Sequence, residues 1–240
     1  MIPKIIHYCW FGRGKMPELA LKCLESWKKH LPDYVIKEWN EDNFDLDAYP
    51  YAREAYDNRK FVTDIVRLYA LYHEGGIYMD TDVEVLKPLD TFLKYDAVSG
   101  FESKTQIPTG LMACREGHPL FKELLDEYEG IHFKQTDGSL DFTTNVVRIT
   151  NACLKYGLVP NNRFQTVNGF TLFPKEYFCP KSYDDGKIYL TENTVAIHHF
   201  AGSWLTPKQK ITERVVRMIG YDNFETIVHL KKKLFSLFSK

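Results

Sequence analysis

Apolar residues along the chain fall into short unbroken runs and longer stretches of helical spacing, the pattern of a layered sheet with helices packed on it. Ile5 to Trp10 is a compact apolar run and predicts a buried strand. After Pro17, the residues Ala20, Cys23, Leu24, Trp27 and Leu31 recur at helical spacing, which predicts a helix with proline in its first turn. Tyr34 to Trp39 predicts a second strand. Strand, helix and strand in this order predict a parallel, right-handed βαβ start. Sheets of that kind bind ligands at the carboxyl ends of their strands.

Between Asn58 and Glu74, the residues Phe61, Ile65, Leu68, Tyr69 and Tyr72 return on one helical face, and Gly75-Gly76 supplies the stop. Ile77-Tyr78-Met79 reads as a buried strand that runs into Asp80-Thr81-Asp82. Two further amphipathic helices are predicted, from Pro119 to about Tyr128 and from Asn145 to Tyr156, with a late strand over Thr194 to His199. The fold class is α/β: one domain, residues 1–207, with a mixed, mostly parallel central sheet flanked by helices. Residues 208–240 differ in charge. Eight Lys/Arg against three Asp/Glu leave +5 there and −6 on the rest of a chain of net charge −1. Ile227, Leu230, Leu234, Leu237 and Phe238 fall at helical spacing around Lys231-Lys232-Lys233, so the segment reads as a basic amphipathic helical tail. Such a tail suits docking on an anionic membrane face.

Composition narrows the function classes. With 31 Lys+Arg against 32 Asp+Glu there is no global field to hold a nucleic acid, and a 44% hydrophobic content is too rich for a disordered chain. The apolar run that ends at Phe11 has no small-residue cleavage site behind it, so no signal peptide is expected, and no run approaches the ~20 apolar residues of a membrane-spanning helix. Five cysteines without a C-x-x-C pair argue against a disulfide framework or a zinc ribbon, and the expected location is cytoplasmic, peripheral on the membrane if the tail docks there.

The candidate chemistry is carboxylate chemistry. A D-x-D triplet by itself is expected about once by chance in a chain of this composition, and Asp45-Leu46-Asp47 is a second example in a polar connection. Asp80 and Asp82, in contrast, follow a buried strand directly. Asp64 lies about 15 Å before the end of its helix, and Gly76 to Asp80 runs back about 13 Å, so a strand doubling back after the glycines brings Asp64 level with Asp80. Arg67 shares the face of Asp64. Three acids and one arginine carry surplus negative charge that a Mg²⁺ or Mn²⁺ ion neutralises, and a nucleotide diphosphate completes the shell of such an ion. Adjacent histidines point to opposite faces of a strand, so at most one of His198 and His199 faces the acids; His199 is a candidate nitrogen ligand. Ser203 and Trp204 are candidates for phosphate or sugar contact. Trp10, at the end of the first strand, is placed to stack on a base. Asp141 and Asn145, beside Thr143-Thr144, are acceptor-side candidates, with a helix cap as the alternative reading of the segment.

Together, Ile2 to Gly12, Asp64-Ile65-Val66-Arg67 continuing through Gly75-Gly76-Ile77-Tyr78-Met79-Asp80-Thr81-Asp82, and the late His199 with Ser203-Trp204 resemble glycosyltransferase family 32. More distantly, they are similar to the catalytic domain of the large glucosylating bacterial toxins. The resemblance implies a GT-A fold, a nucleotide-sugar donor such as a UDP- or GDP-hexose, a divalent Mn²⁺ or Mg²⁺, and retention of anomeric configuration. Carried onto this sequence, it implies that Trp10 stacks on the base with Tyr8 also on the donor side, and that Asp64 and Arg67 hold the sugar and phosphate region. It further implies that Tyr78 lines the ribose, that Asp80 contacts the ribose or the metal through water, and that Asp82 coordinates the metal. The late segment carries a histidine pair where the toxins place an acid, which leaves the third ligand open. The reading is a metal-dependent retaining glycosyltransferase acting on a glycan or lipid-linked acceptor, as in capsule or exopolysaccharide synthesis. Its rivals are a phosphotransferase with Asp80 as nucleophile and a non-catalytic carbohydrate-binding protein.

Overall fold

A computed structural model of the chain describes residues 1–56, 59–141, 143–182 and 185–202. The basic tail and the pair Ser203-Trp204 lie outside the described residues.

The first strand, β1 (Ile5–Cys9), is the axis of the fold. It pairs in parallel with β2 (Val35–Trp39) on one side and with β3 (Gly76–Met79) on the other. Central strands with parallel neighbours are covered on both faces, and β1 is buried at four of its five positions. Helix α1 (Glu18–His30) covers one face, where Trp27 and Leu31 pack with Ile6, Tyr8, Ile77 and Met79. A short helix α2 (Pro50–Glu54) leads to α3 (Arg59–Glu74), which covers the other face through Val62, Ile65, Val66 and Leu71.

The turn from α3 into β3 requires two glycines. Gly75 has φ +63° and Gly76 φ +95°, and a Cβ at either would stand 2.6 Å from backbone, at Glu116 N and Ile5 O respectively. Without side chains there, the strand doubles straight back along the helix and inserts beside β1.

The remaining elements are β4 (Val83–Val85), β5 (Ala97–Gly100), β6 (Leu111–Cys114), α4 (Pro119–Asp126), α5 (Asn145–Lys155), β7 (Gln165–Val167), β8 (Phe170–Phe173) and β9 (Ala196–His198). The main sheet has the order β2-β1-β3-β6-β5-β8-β7, and only β6 and β7 run against the other five strands. The result is a mixed, mostly parallel sheet flanked by helices. Strands β4 and β9 form a separate antiparallel pair, with Val83 opposite His198. The sequence pattern does not single out β4 to β8 or α2, because elements of three to five residues are too short to show a period that separates strand from helix.

The chain divides into two compact units, residues 1–180 with 190–200 and residues 181–189 with 201–240. All elements above belong to the first unit. In the second, Lys181 bridges Ile188 in antiparallel fashion and Asp185 accepts from the Tyr189 hydroxyl.

Candidate active site

Strands β1 and β3 end side by side, so whatever follows each lands in one place. Trp10 follows β1, and Asp80-Thr81-Asp82 follows β3 as a tight turn closed by Val83 N donating to Asp80 O at 2.9 Å. The turn hands the chain to β4, whose partner β9 ends in His198. One antiparallel register therefore brings His198 to the D-x-D acids: its Nε2 lies 3.3 Å from Asp82 Oδ1 and 3.9 Å from Asp80 Oδ2.

Beneath Asp80 lies a buried layer. Tyr78 donates its hydroxyl to Asp80 Oδ1 at 3.0 Å, and Arg67 Nη2 stands 3.5 Å from the same oxygen and 3.2 Å from Asp64 Oδ1. The guanidinium also donates to Thr109 O at 2.7 Å and to Thr63 O and Oγ1, both at 3.1 Å, and lies 4.7 Å from the Tyr78 ring centre. Burial opposes its charge, but Asp80, Tyr78 and Asp64 outweigh burial and raise its pKa above the ordinary value, so Arg67 is a permanent cation. Asp64 Oδ2 accepts the first N–H of α5, from Asn145, at 3.3 Å, a favourable place for a carboxylate at a helix N-terminus. Burial pushes the neighbouring Cys9 thiol up to about 12, which leaves it unreactive.

His198 is also perturbed. Burial disfavours its imidazolium, yet Asp82 and the adjacent Cys179 thiol prevail and hold its pKa well above 6.5. Asp80, Asp82 and His198 each offer one ligand atom, and the three atoms lie within 4.8 Å of one another. Two carboxylate oxygens and one imidazole nitrogen suit Mn²⁺, and the carboxylates suit Mg²⁺. The donor set fits the divalent ion that the sequence implies.

Several expected residues are placed differently from the sequence reading. His199, expected as the third ligand, turns to the opposite face of β9's end and bonds Glu84 Oε2 at 2.8 Å; the alternation of side chains leaves His198 beside the acids. Asp64 and Arg67 are 3% and 4% exposed, so they support Asp80 from below and present no surface to a donor. Tyr78, expected along the ribose, is likewise buried, with its hydroxyl spent on Asp80. Tyr8 packs edge-on against Trp27 under α1 and gives its hydroxyl to Glu38. Trp10 is half-buried at the strand's end, and its indole N–H is held by Gly14 O at 2.7 Å. On the acceptor side, Asn145 is buried: its amide donates to Asp64 O at 2.6 Å and its Oδ1 accepts from the Tyr128 hydroxyl. Asp141 pairs with Arg148 at 2.7 Å and accepts from Thr143 N.

Three contributors carry no motif. Thr109 and Gly110 precede β6 and supply carbonyls to Arg67 and to Asp80 N, the latter at 2.8 Å. Trp27 donates its indole N–H to Val83 O at 2.7 Å and so holds β4 from behind. In the sequence, Gly110 is one of 14 glycines and Trp27 is an apolar helix position, so neither stands out.

Residues 17–99 match the glycosyltransferase sugar-binding region containing a DXD motif. Inositol phosphoceramide mannosyltransferase 3 of Schizosaccharomyces pombe is 32% identical over 52% of this chain and 36% of its own length. An uncharacterized glycosyltransferase of Acanthamoeba polyphaga mimivirus is 27% identical over 88% of this chain and 86% of its own. The chain thus spans little more than a third of the length of the mannosyltransferase. Among solved structures, a glycosyltransferase involved in glycosylation of the major capsid of PBCV-1 aligns with 88% of this chain and all of its own at 13% identity and a TM-score of 0.47. Residues 17–99 thus resemble the sugar-binding region of glycosyltransferases that contain a DXD motif.

Proposed function

We propose that this chain transfers a hexose from a nucleotide diphosphate-sugar, with retention of configuration, to a glycan or lipid-linked acceptor, using a divalent ion held by Asp80, Asp82 and His198. The observation that carries the reading is the convergence of those three ligand atoms at the carboxyl end of β3, beside the half-buried Trp10. An ion held there supplies positive charge to a diphosphate as it departs. The residues of the chain do the rest. Arg67 and Tyr78 fix the carboxylate of Asp80, so its orientation is set before any donor arrives. The Trp10 ring offers a face to the base. A retaining transfer can use the departing phosphate oxygen to take the acceptor proton, and so needs no protein base at the acceptor hydroxyl.

Mannose as the sugar and a phosphoinositol lipid as the acceptor are supported by the names of two relatives, inositol phosphoceramide mannosyltransferase 3 and mannosyl phosphorylinositol ceramide synthase CSH1. The basic composition of residues 208–240 supports a cytoplasmic enzyme resting on an anionic membrane. No described helix is long and apolar enough to cross one.

Release of nucleoside diphosphate from UDP- and GDP-hexoses, with Mn²⁺ and with EDTA, tests the proposal. Turnover should need both the ion and Asp82, and loss of that ligand should cost several kcal/mol of transition-state stabilisation. Activity that survives EDTA and Asp82→Ala together would sink it.

A further inference from the structure

Between α4 and α5 the chain turns back on itself. Lys134 bridges Leu140 in antiparallel fashion, and Gly138 N closes the turn on Gln135 O at 3.0 Å. Beside this turn lies an open cleft of about 540 Å³, lined among others by His132, Lys134, Gln135, Thr136, Asp141 and Arg148. Its volume is in the range of small-molecule sites, ~300–1,000 Å³, and its wall combines apolar surface with a few polar groups.

The polar groups of the wall are organised. Arg148 Nη2 and Asp141 Oδ2 pair at 2.7 Å, and the guanidinium lies 5.0 Å from the Tyr128 ring centre, which fixes its plane. Arg148 Nε is a buried donor without a partner among the described residues. The Arg148 charge is already balanced by Asp141, and a His132 ring nitrogen is hydrogen-bonded to Glu54 Oε1 at 2.7 Å. An anion would meet the Asp141 carboxylate at the same wall. A planar pair that offers both acceptor oxygens and donor N–H groups, next to the Gln135 amide, instead matches neighbouring hydroxyls on a ring.

The cleft is joined to the acids. Asp141 holds Thr143 N at 2.9 Å, and two residues later Asn145 N bonds Asp64 Oδ2 at 3.3 Å, beyond which Arg67 and Asp80 follow in contact. We propose that this cleft is an acceptor subsite that takes an uncharged hexose unit through Asp141, Arg148 and Gln135. This rests on the transferase reading above.

The test uses the full chain and p-nitrophenyl hexosides as probes, with binding followed by saturation-transfer NMR. At least one hexoside should bind the wild type. Thr136 is an exposed position on the rim, so Thr136→Trp fills the cleft without touching the core, and it should weaken that binding at least tenfold with an unchanged melting temperature. If no hexoside binds the wild type, or if Thr136→Trp binds it equally well, the subsite is wrong. Thermal shift of the wild type by UDP or GDP with Mn²⁺ is read separately. A nucleotide shift without hexoside binding removes the cleft alone, whereas no nucleotide shift removes the transferase reading beneath it.

Discussion

Gly110 stands against His198 so closely that a methyl group on it would lie 2.5 Å from the imidazole Cε1 and 2.7 Å from Nδ1. The glycine therefore leaves the space in which the histidine meets Asp82. Because the obstacle is a side chain and not backbone, Gly110→Ala should be accommodated by turning the imidazole aside. The variant should fold, with overpacking costing about 1–3 kcal/mol, and should bind Mn²⁺ at least about tenfold more weakly. Thermal melts and a Mn²⁺ titration followed by the EPR signal of the free ion separate the two effects; wild-type Mn²⁺ affinity would show that His198 is not a ligand.

The two adjacent histidines should part company under mutation. His198→Ala removes a ligand atom and should weaken Mn²⁺ by at least about tenfold. His199→Ala removes a partner of Glu84, which keeps Lys22 at 3.0 Å, and should leave the affinity nearly unchanged. The same titration compares them, and equal losses would contradict the assignment.

Trp27 acts on the acids through backbone. Trp27→Phe keeps the ring in the core but leaves the buried Val83 carbonyl unpaired, at a cost of about 1–3 kcal/mol in urea unfolding. Val83 follows Asp82 directly, so Mn²⁺ affinity should fall as well. A loss of stability with unaltered affinity would confine Trp27 to packing.

His7 makes stability depend on pH. Trp39 Nε1 donates to its Nδ1 at 3.1 Å, so the proton sits on Nε2, which donates to Gly75 O at 2.8 Å. Burial lowers its pKa from 6.5, against the opposing pull of Gly75 O and Glu74. His118, whose Nδ1 accepts from Leu120 N at the start of α4, is lowered by burial in the same way. The unfolded chain then takes up protons that the folded chain refuses. The stability that depends on His7 and His118 should be complete above about pH 6.5 and fall as pH drops below it, whereas His198, held above 6.5, contributes in the opposite sense. Urea midpoints at pH 7.5 and 5.5 measure this, and His7→Gln, which keeps a donor and an acceptor but does not titrate, should flatten the slope.

The sequence by itself determined the first half of the architecture and the place of the acids that follow its third strand. Helix α1, helix α3, the Gly75-Gly76 stop and the strand into Asp80 all follow from local spacing, because each is long enough to show its period or is bounded by residues with one conformational use. The position of Arg67 one turn after Asp64 was legible for the same reason. Tertiary structure alone decided which histidine meets the acids, since that depends on the register of Val83 against His198, two residues 115 apart in the chain whose pairing no local pattern encodes. It also decided that Asp64, Arg67 and Tyr78 lie beneath the site and not on its surface, and that Gly110 and Trp27 serve it at all. Burial and close approach are properties of what packs around a residue, and a linear sequence carries the residue without its neighbours.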